Sequence, residues 1–206
     1  MKKPRLFPLA FLALVVLASL RPANAMSVRA PTFPELVAEA SMIAHTRVTA
    51  VTSRAVTSPD DQRVIKTFVT FTTITPLKGQ PGSQFTLSFL GGADKHSGER
   101  WTVPGMPQFQ VGDEDIIFAT RGESVCPLVA ARHGRYRVLT DAATNRRYIA
   151  RSNREPLAGT DEISGSLEPV APAAPHAARI AAALSPENFE QRITAEIAHP
   201  TQAAHP

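Results

Sequence analysis

Residues 64–77 carry the strongest strand pattern in the chain. Ile65, Val69, Phe71 and Leu77 stand at odd positions with threonines among them, the alternation of a sheet with one buried face. Residues 84–90 alternate without a break: Phe85, Leu87 and Phe89 on one face, Gln84, Thr86 and Ser88 on the other. A further strand is predicted at 43–51, with shorter ones at 100–103, 115–120, 126–132, 136–139 and 147–150; Ile116, Ile117 and Phe118 are expected in the core. The breaks between them have turn chemistry: Ser58-Pro59-Asp60-Asp61, Lys78-Gly79-Gln80-Pro81-Gly82, Pro104-Gly105-Met106-Pro107 and Val111-Gly112-Asp113-Glu114. His133-Gly134 sits between two predicted strands at hairpin spacing.

Helical patterning is confined to the ends of this region. Residues 33–41 hold good helix formers behind Pro34, which suits a first turn. Near the C-terminus Ser185 is a candidate N-cap and Pro186 a first-turn residue, and Phe189, Ile193 and Ile197 fall at i, i+4 and i+8 as one apolar stripe. Many short strands with only terminal helices predict an all-β fold, an antiparallel OB-like barrel or a sandwich. The expected layout is a leader at 1–25, a β-barrel domain at 26–151, a Pro/Ala-rich linker without its own core at 152–184, a helix at 185–198 and a tail at 199–206. The stripe of that last helix is expected to dock weakly or to meet a partner.

The leader changes the charge picture. Lys2, Lys3 and Arg5 precede an apolar run from 6 to 20, and Ala23-Asn24-Ala25 has the small-x-small pattern of a signal-peptidase site. The run is shorter than the about 20 residues a membrane span needs. The chain is therefore expected to be exported, to the periplasm or beyond, with no stable membrane anchor after cleavage. Four of the 22 basic residues leave with the leader, so 18 face the 18 acidic ones. A balanced, mixed charge argues against nucleic acid as a partner. Cys126 is the only cysteine, so no intramolecular disulfide is possible, and it is expected to be buried and inert.

Several pieces in order carry a resemblance: Phe33-Pro34-Glu35-Leu36-Val37, Thr75-Pro76-Leu77-Lys78-Gly79, Gly91-Gly92, Pro107-Gln108-Phe109-Gln110-Val111-Gly112 and Gly134-Arg135-Tyr136-Arg137-Val138. Together they resemble a group of uncharacterised exported bacterial proteins, which implies no activity to carry over. The layout also resembles, distantly, the netrin-like, OB-type barrel of metalloproteinase inhibitors. Those inhibitors reach the protease zinc through an N-terminal Cys, and the mature chain expected here begins Met26-Ser27, so no residue role transfers.

The candidate chemistry is sparse. His45, His96, His133 and Cys126 lack the local spacing of a zinc site, and solitary histidines are the expectation. Asp113-Glu114-Asp115 is either a solvated turn or a set of oxygen ligands for a hard cation. Ser97, Ser124 and Cys126 sit in no nucleophile motif. Trp101 either closes the core or stands exposed as a contact residue. No cofactor and no metal are expected. The reading is a non-catalytic exported module that binds a protein partner through a sheet edge and the loop at 91–98, with Gly91, Gly92, Asp94, His96 and Trp101 as candidate contacts. The alternative is a small exported hydrolase or metal-dependent enzyme with a site assembled from scattered residues. The sequence leaves the oligomeric state open. N-terminal sequencing of the exported protein is expected to begin at Met26; recovery of the intact leader on the soluble exported form would reject the cleavage site.

Overall fold

Thr32 starts the first element. Its hydroxyl accepts from the Glu35 amide at 3.4 Å while the Glu35 carboxylate accepts from the Thr32 amide at 2.8 Å, a capping box ahead of helix α1 (Phe33–Glu39). At the other end Lys78 Nζ donates to the carbonyls of Val37 and Ala38 at 2.7 and 3.2 Å, closing a helix too short to stand alone. The computed structural model describes residues 29–122, 124–168 and 174–201; the expected leader at 1–25 lies outside these, as do residues 202–206 of the expected tail.

Two long strands follow, β1 (Met42–Thr57) and β2 (Arg63–Lys78), then β3 (Gln84–Leu90), a two-residue pair β4 (Gly92–Ala93) and β5 (Arg100–Trp101), then β6 (Glu114–Ala119), β7 (Arg135–Thr140) and β8 (Arg147–Arg151). The main sheet has six antiparallel strands in the order β3-β2-β1-β6-β7-β8. Its edge strands, β3 and β8, do not pair with each other. The all-β expectation therefore holds as an open antiparallel sheet with helices, not as a closed barrel.

Register explains which apolar residues share a face. The β1–β2 ladder shifts at three places, between Ile43 and Ala44, His45 and Thr46, and Val48 and Ala50. The last bulge lets Val48 and Val51, three residues apart, pack on the same core cluster. The other two sit opposite Ile74 and Leu77. Leu77 thus leaves the face of Val69 and Phe71, with which the odd-position pattern grouped it, and packs under the helices. Alternation in β3 holds as read, with Phe85, Leu87 and Phe89 on one core cluster.

Both faces of the sheet centre are covered. Ile43, Ile116, Phe118, Tyr136 and Ile149 meet α1 and the C-terminal helix α3 (Pro186–Ala198). Phe189 of α3 has ring centroids 5.0 Å from Tyr136 and 6.3 Å from Phe118. On the opposite face Val48, Val69, Phe71, Phe89 and Ile117 are roofed by Phe109, Cys126 and Leu128. Phe109 meets Phe71 edge-on at 5.4 Å. The strand expected at 126–132 is instead an irregular segment. Only Leu128 bridges to the sheet, Ala130 and Ala131 take left-handed φ of 45° and 53°, and residues Ala131–Gly134 form a 3-10 turn. His133-Gly134 is therefore no hairpin turn. A Cβ on Gly134 would stand 2.7 Å from the Val129 carbonyl, so the close passage of the backbone there requires glycine.

The expected linker is corrected in its described parts, 152–168 and 174–184; its residues 169–173 lie outside the described residues. Leu157 and Ile163 are fully buried, and Leu167, Ile180, Ala183 and Leu184 nearly so. Residues Thr160–Ser164 form a 3-10 turn and His176–Ala182 a short helix, α2. Ile180 and Ala183 pack on Tyr148 and Ala150 of β8. Averaged composition misled because a few well-spaced apolar residues, not their density, decide burial here. The C-terminal helix forms where its caps predicted, with Ser185 accepting from the Asn188 amide at 3.2 Å. It is no tethered tail: Phe189 and Ile193 are 0% exposed within the main core. Among the described residues no helix is long and apolar enough to cross a membrane. Phe189→Ala is expected to destabilise the fold by about 3–5 kcal/mol, and truncation after Arg151 to abolish cooperative melting. Calorimetry of both variants checks this, and a cooperative transition in the truncated chain would contradict the packing described.

Candidate functional site

Two positive-φ glycines turn the chain out of β3 into the β4–β5 pair. A Cβ on Gly91 would stand 2.9 Å from the Trp101 carbonyl, and one on Gly92 2.4 Å from Thr67 Oγ1 and 2.6 Å from Ser53 Oγ, so the hairpin lies flat on β1 and β2. Ser53 and Thr67 share a hydrogen bond at 2.8 Å, and Thr67 also donates to the Gly91 carbonyl at 2.7 Å. Between this hairpin, the strands and the segment 103–109 runs a cleft of about 510 Å³. Its floor includes Val51, Val69, Phe89 and Phe109, and its rim Arg100 and Trp101.

Three of the five candidate residues, Gly91, Gly92 and Trp101, line this cleft; Asp94 and His96 do not. Trp101 is 39% exposed, so it does not close the core. Asp94 is buried and structural. It accepts from Ser97 Oγ at 2.8 Å, from the His96 amide at 3.2 Å and from Arg63 at 3.1 Å. These bonds, that of Ser97 foremost, hold its carboxyl below the usual range. His96 is exposed at the loop tip. The loop at 91–98 is thus pinned at Gly91 and Asp94 and exposed from 95 to 98.

A second polar region lies where β6 meets β7. Arg135, 3% exposed, grips the fully buried Asp115 with Nε to Oδ1 and Nη2 to Oδ2, both 2.9 Å. It also donates to Asp113 at 2.8 Å and to the Gln108 carbonyl, and its guanidinium lies 4.0 Å from the centre of the Phe109 ring. Arg137 donates to the other oxygen of Asp113 at 2.7 Å. Burial pushes the Asp115 carboxyl up, and the Arg135 guanidinium opposes that shift. The Asp113-Glu114-Asp115 run is therefore neither a solvated turn nor an open cation site. Asp113 and Asp115 serve the two arginines on one face, and Glu114 turns to the other.

On that other face His45 is 4% exposed between two carboxylates, its Nδ1 2.6 Å from Glu190 and its Nε2 2.8 Å from Glu114. Arg47, at 2.7 Å, and Arg147 also donate to Glu114. This ties α3 to the sheet. His133 lies in the 3-10 turn, pushed down chiefly by burial. Cys126 is buried, and desolvation pushes its thiol up. Among the described residues no group of three or more His, Cys, Asp or Glu could hold a metal ion. Comparison of the chain with protein families, with curated proteins and with solved structures finds no match.

Sequence reasoning passed over Ser53 and Thr67, and it gave Phe109, Arg135 and Arg137 no role in a site. The arginines had a signal: two cations two residues apart, and two carboxylates two residues apart, each pair on one face of a strand. Only the β6–β7 pairing, Asp115 opposite Arg137, joins them. Asp115→Ala is expected to cost about 3–5 kcal/mol, since it strands a buried guanidinium. The double replacement Asp115→Leu with Arg135→Met is expected to cost less. Denaturant melts of both variants measure the difference, and equal losses would show that the cost does not come from a stranded guanidinium.

Proposed function

We propose that the chain is an exported, non-catalytic β-domain that binds a protein partner by strand addition along β3, with the Gly92–Trp101 hairpin as a flanking contact. One observation carries the reading: the two edges of the sheet are treated differently. At β8 the chain seals its own edge. The Ile149 amide donates to the Leu184 carbonyl at 2.8 Å, the Leu157 amide donates to the Ile149 carbonyl at 2.9 Å, and Ala150 bridges to Pro156. At β3 the Gly91 amide turns inward to Ile65 and the Leu90 amide outward to Val125. Alternation then turns the amides and carbonyls of Gln84, Thr86 and Ser88 outward as well, and no backbone partner meets them among the described residues.

The edge also lacks the usual protections. Residues 84–90 hold no charge and no proline. Phe85 and Leu87 are half-buried, so an incoming strand with apolar residues at alternate positions extends their face. Trp101, exposed a short way along the same side of the sheet, supplies an aromatic anchor. The buried Cys126, its thiol pushed away from the nucleophilic thiolate form, supports a non-catalytic reading. Membership of the exported bacterial group that the sequence resembles belongs to the same proposal.

A library of displayed extended peptides provides the test. Selected peptides are expected to slow amide exchange at Thr86 and Ser88. Thr86→Pro removes an outward amide without touching the β2 ladder, so it is expected to abolish capture while the chain still folds. Peptides that bind Thr86→Pro equally well, or that protect other strands, would refute strand addition.

A further inference from the structure

Behind the segment 106–110, on the far side from the cleft, lies a pocket of about 300 Å³. Arg132, Arg135, Arg137 and Arg154 line it together with Ser152 and Gln110, and Asp113 is the only carboxylate in its wall among the described residues. Such a ratio calls for an account, because like charges crowded in a partly desolvated space repel one another. Asp113 and Asp115 satisfy Arg135 fully and Arg137 in part. Two cations are left over. Arg132 reaches Glu168, 77% exposed, only at 3.5 Å, and Arg154 forms no ion pair among the described residues. Two buried polar atoms also lack a partner there, Arg137 Nε and Ser152 Oγ. Arg137 is pushed down from its ordinary value, first by burial and then by its neighbour Arg135, with Arg154 adding to the effect.

We infer that this pocket binds a small oxyanion, of phosphate or carboxylate type, between Arg137, Arg154 and Arg132 with the Ser152 hydroxyl as a further donor. Guanidinium groups suit such a ligand because they present paired donors in a plane, matched to two oxygens of one anion. The volume admits an ion of a few heavy atoms. Asp113 sets the limit on one side: its oxygens already accept from Arg135, Arg137 and the Gln110 amide at 2.7–2.9 Å, so the anion sits toward Ser152 and Arg154, away from it. The site is independent of strand addition at β3.

The test titrates the purified chain with inorganic phosphate and, separately, with malonate, against sodium chloride of matched ionic strength. Calorimetry gives the affinity, and amide shifts locate the site. Saturable binding of at least one oxyanion is expected, with shifts at Gln110, Ser152 and Arg154; which probe binds more tightly separates tetrahedral from planar ligands. Arg154 is exposed and forms no ion pair among the described residues, so Arg154→Ala is expected to fold normally and to weaken binding at least tenfold, whereas Arg154→Lys retains part of it. Ser152→Ala is expected to weaken binding severalfold. No saturation by either probe, shifts mapped elsewhere, or unchanged affinity in Arg154→Ala would each overturn the assignment.

Discussion

From Ile116 to Ala119 strand β6 is apolar on both faces, and the rest of the molecule is arranged to meet that constraint. Ile116 and Phe118 point one way, Ile117 and Ala119 the other, all essentially inaccessible. A sheet of this kind needs a layer on each side. One layer is helical, α1 and α3 meeting through the Phe33, Phe118, Tyr136 and Phe189 rings. The other is irregular chain carrying Phe109, Cys126 and Leu128. Irregular chain leaves more backbone groups to satisfy than a helix does, and the left-handed residues and 3-10 turn at 130–134 are how this segment follows the sheet.

The buried charges sit where that irregular layer meets the sheet. Arg135 donates to two carboxylates, of β6 and its approach, and to a carbonyl of the covering segment, and packs its flat face on Phe109. One side chain therefore fixes the position of the segment 108–109 relative to the sheet. Because the same segment walls the cleft on one side and the arginine pocket on the other, the two cavities share a partition whose position depends on the Arg135 contacts. His45 does the equivalent on the helical side, linking Glu114 of the sheet to Glu190 of α3. Both links are polar contacts inside otherwise apolar layers.

The polypeptide beyond β8 explains why the sheet is asymmetric in use. Residues 155–157 and 184 are drawn in to close the β8 edge, and in doing so they carry α2 to one face and α3 to the other. None of these segments reaches β3, which stays uncharged and open along its outward groups among the described residues.

How much of this was legible beforehand depended on whether the cause was local. Periodicity placed β1, β2, β3, β6, β7 and β8 and both capped helices, because alternation, caps and turn residues act over a few neighbours. It misplaced Leu77, because a bulge is set by the partner strand, and it misread 126–132, whose few contacts with β6 are made across an irregular path. Cys126 was correctly expected to be buried, whereas Asp94 was read as a surface contact although Ser97, the His96 amide and, from far away in sequence, Arg63 hold its carboxylate. Composition failed at 152–184, since burial of Leu157, Ile163 and Ile180 depends on the sheet they fold against rather than on their local density. The sequence by itself determined where the chain can extend, turn and coil. The tertiary structure alone decided which edge is closed, which carboxylates meet which arginines and where cations are left over, because those outcomes rest on contacts between residues far apart in the chain, whose energies no local window contains.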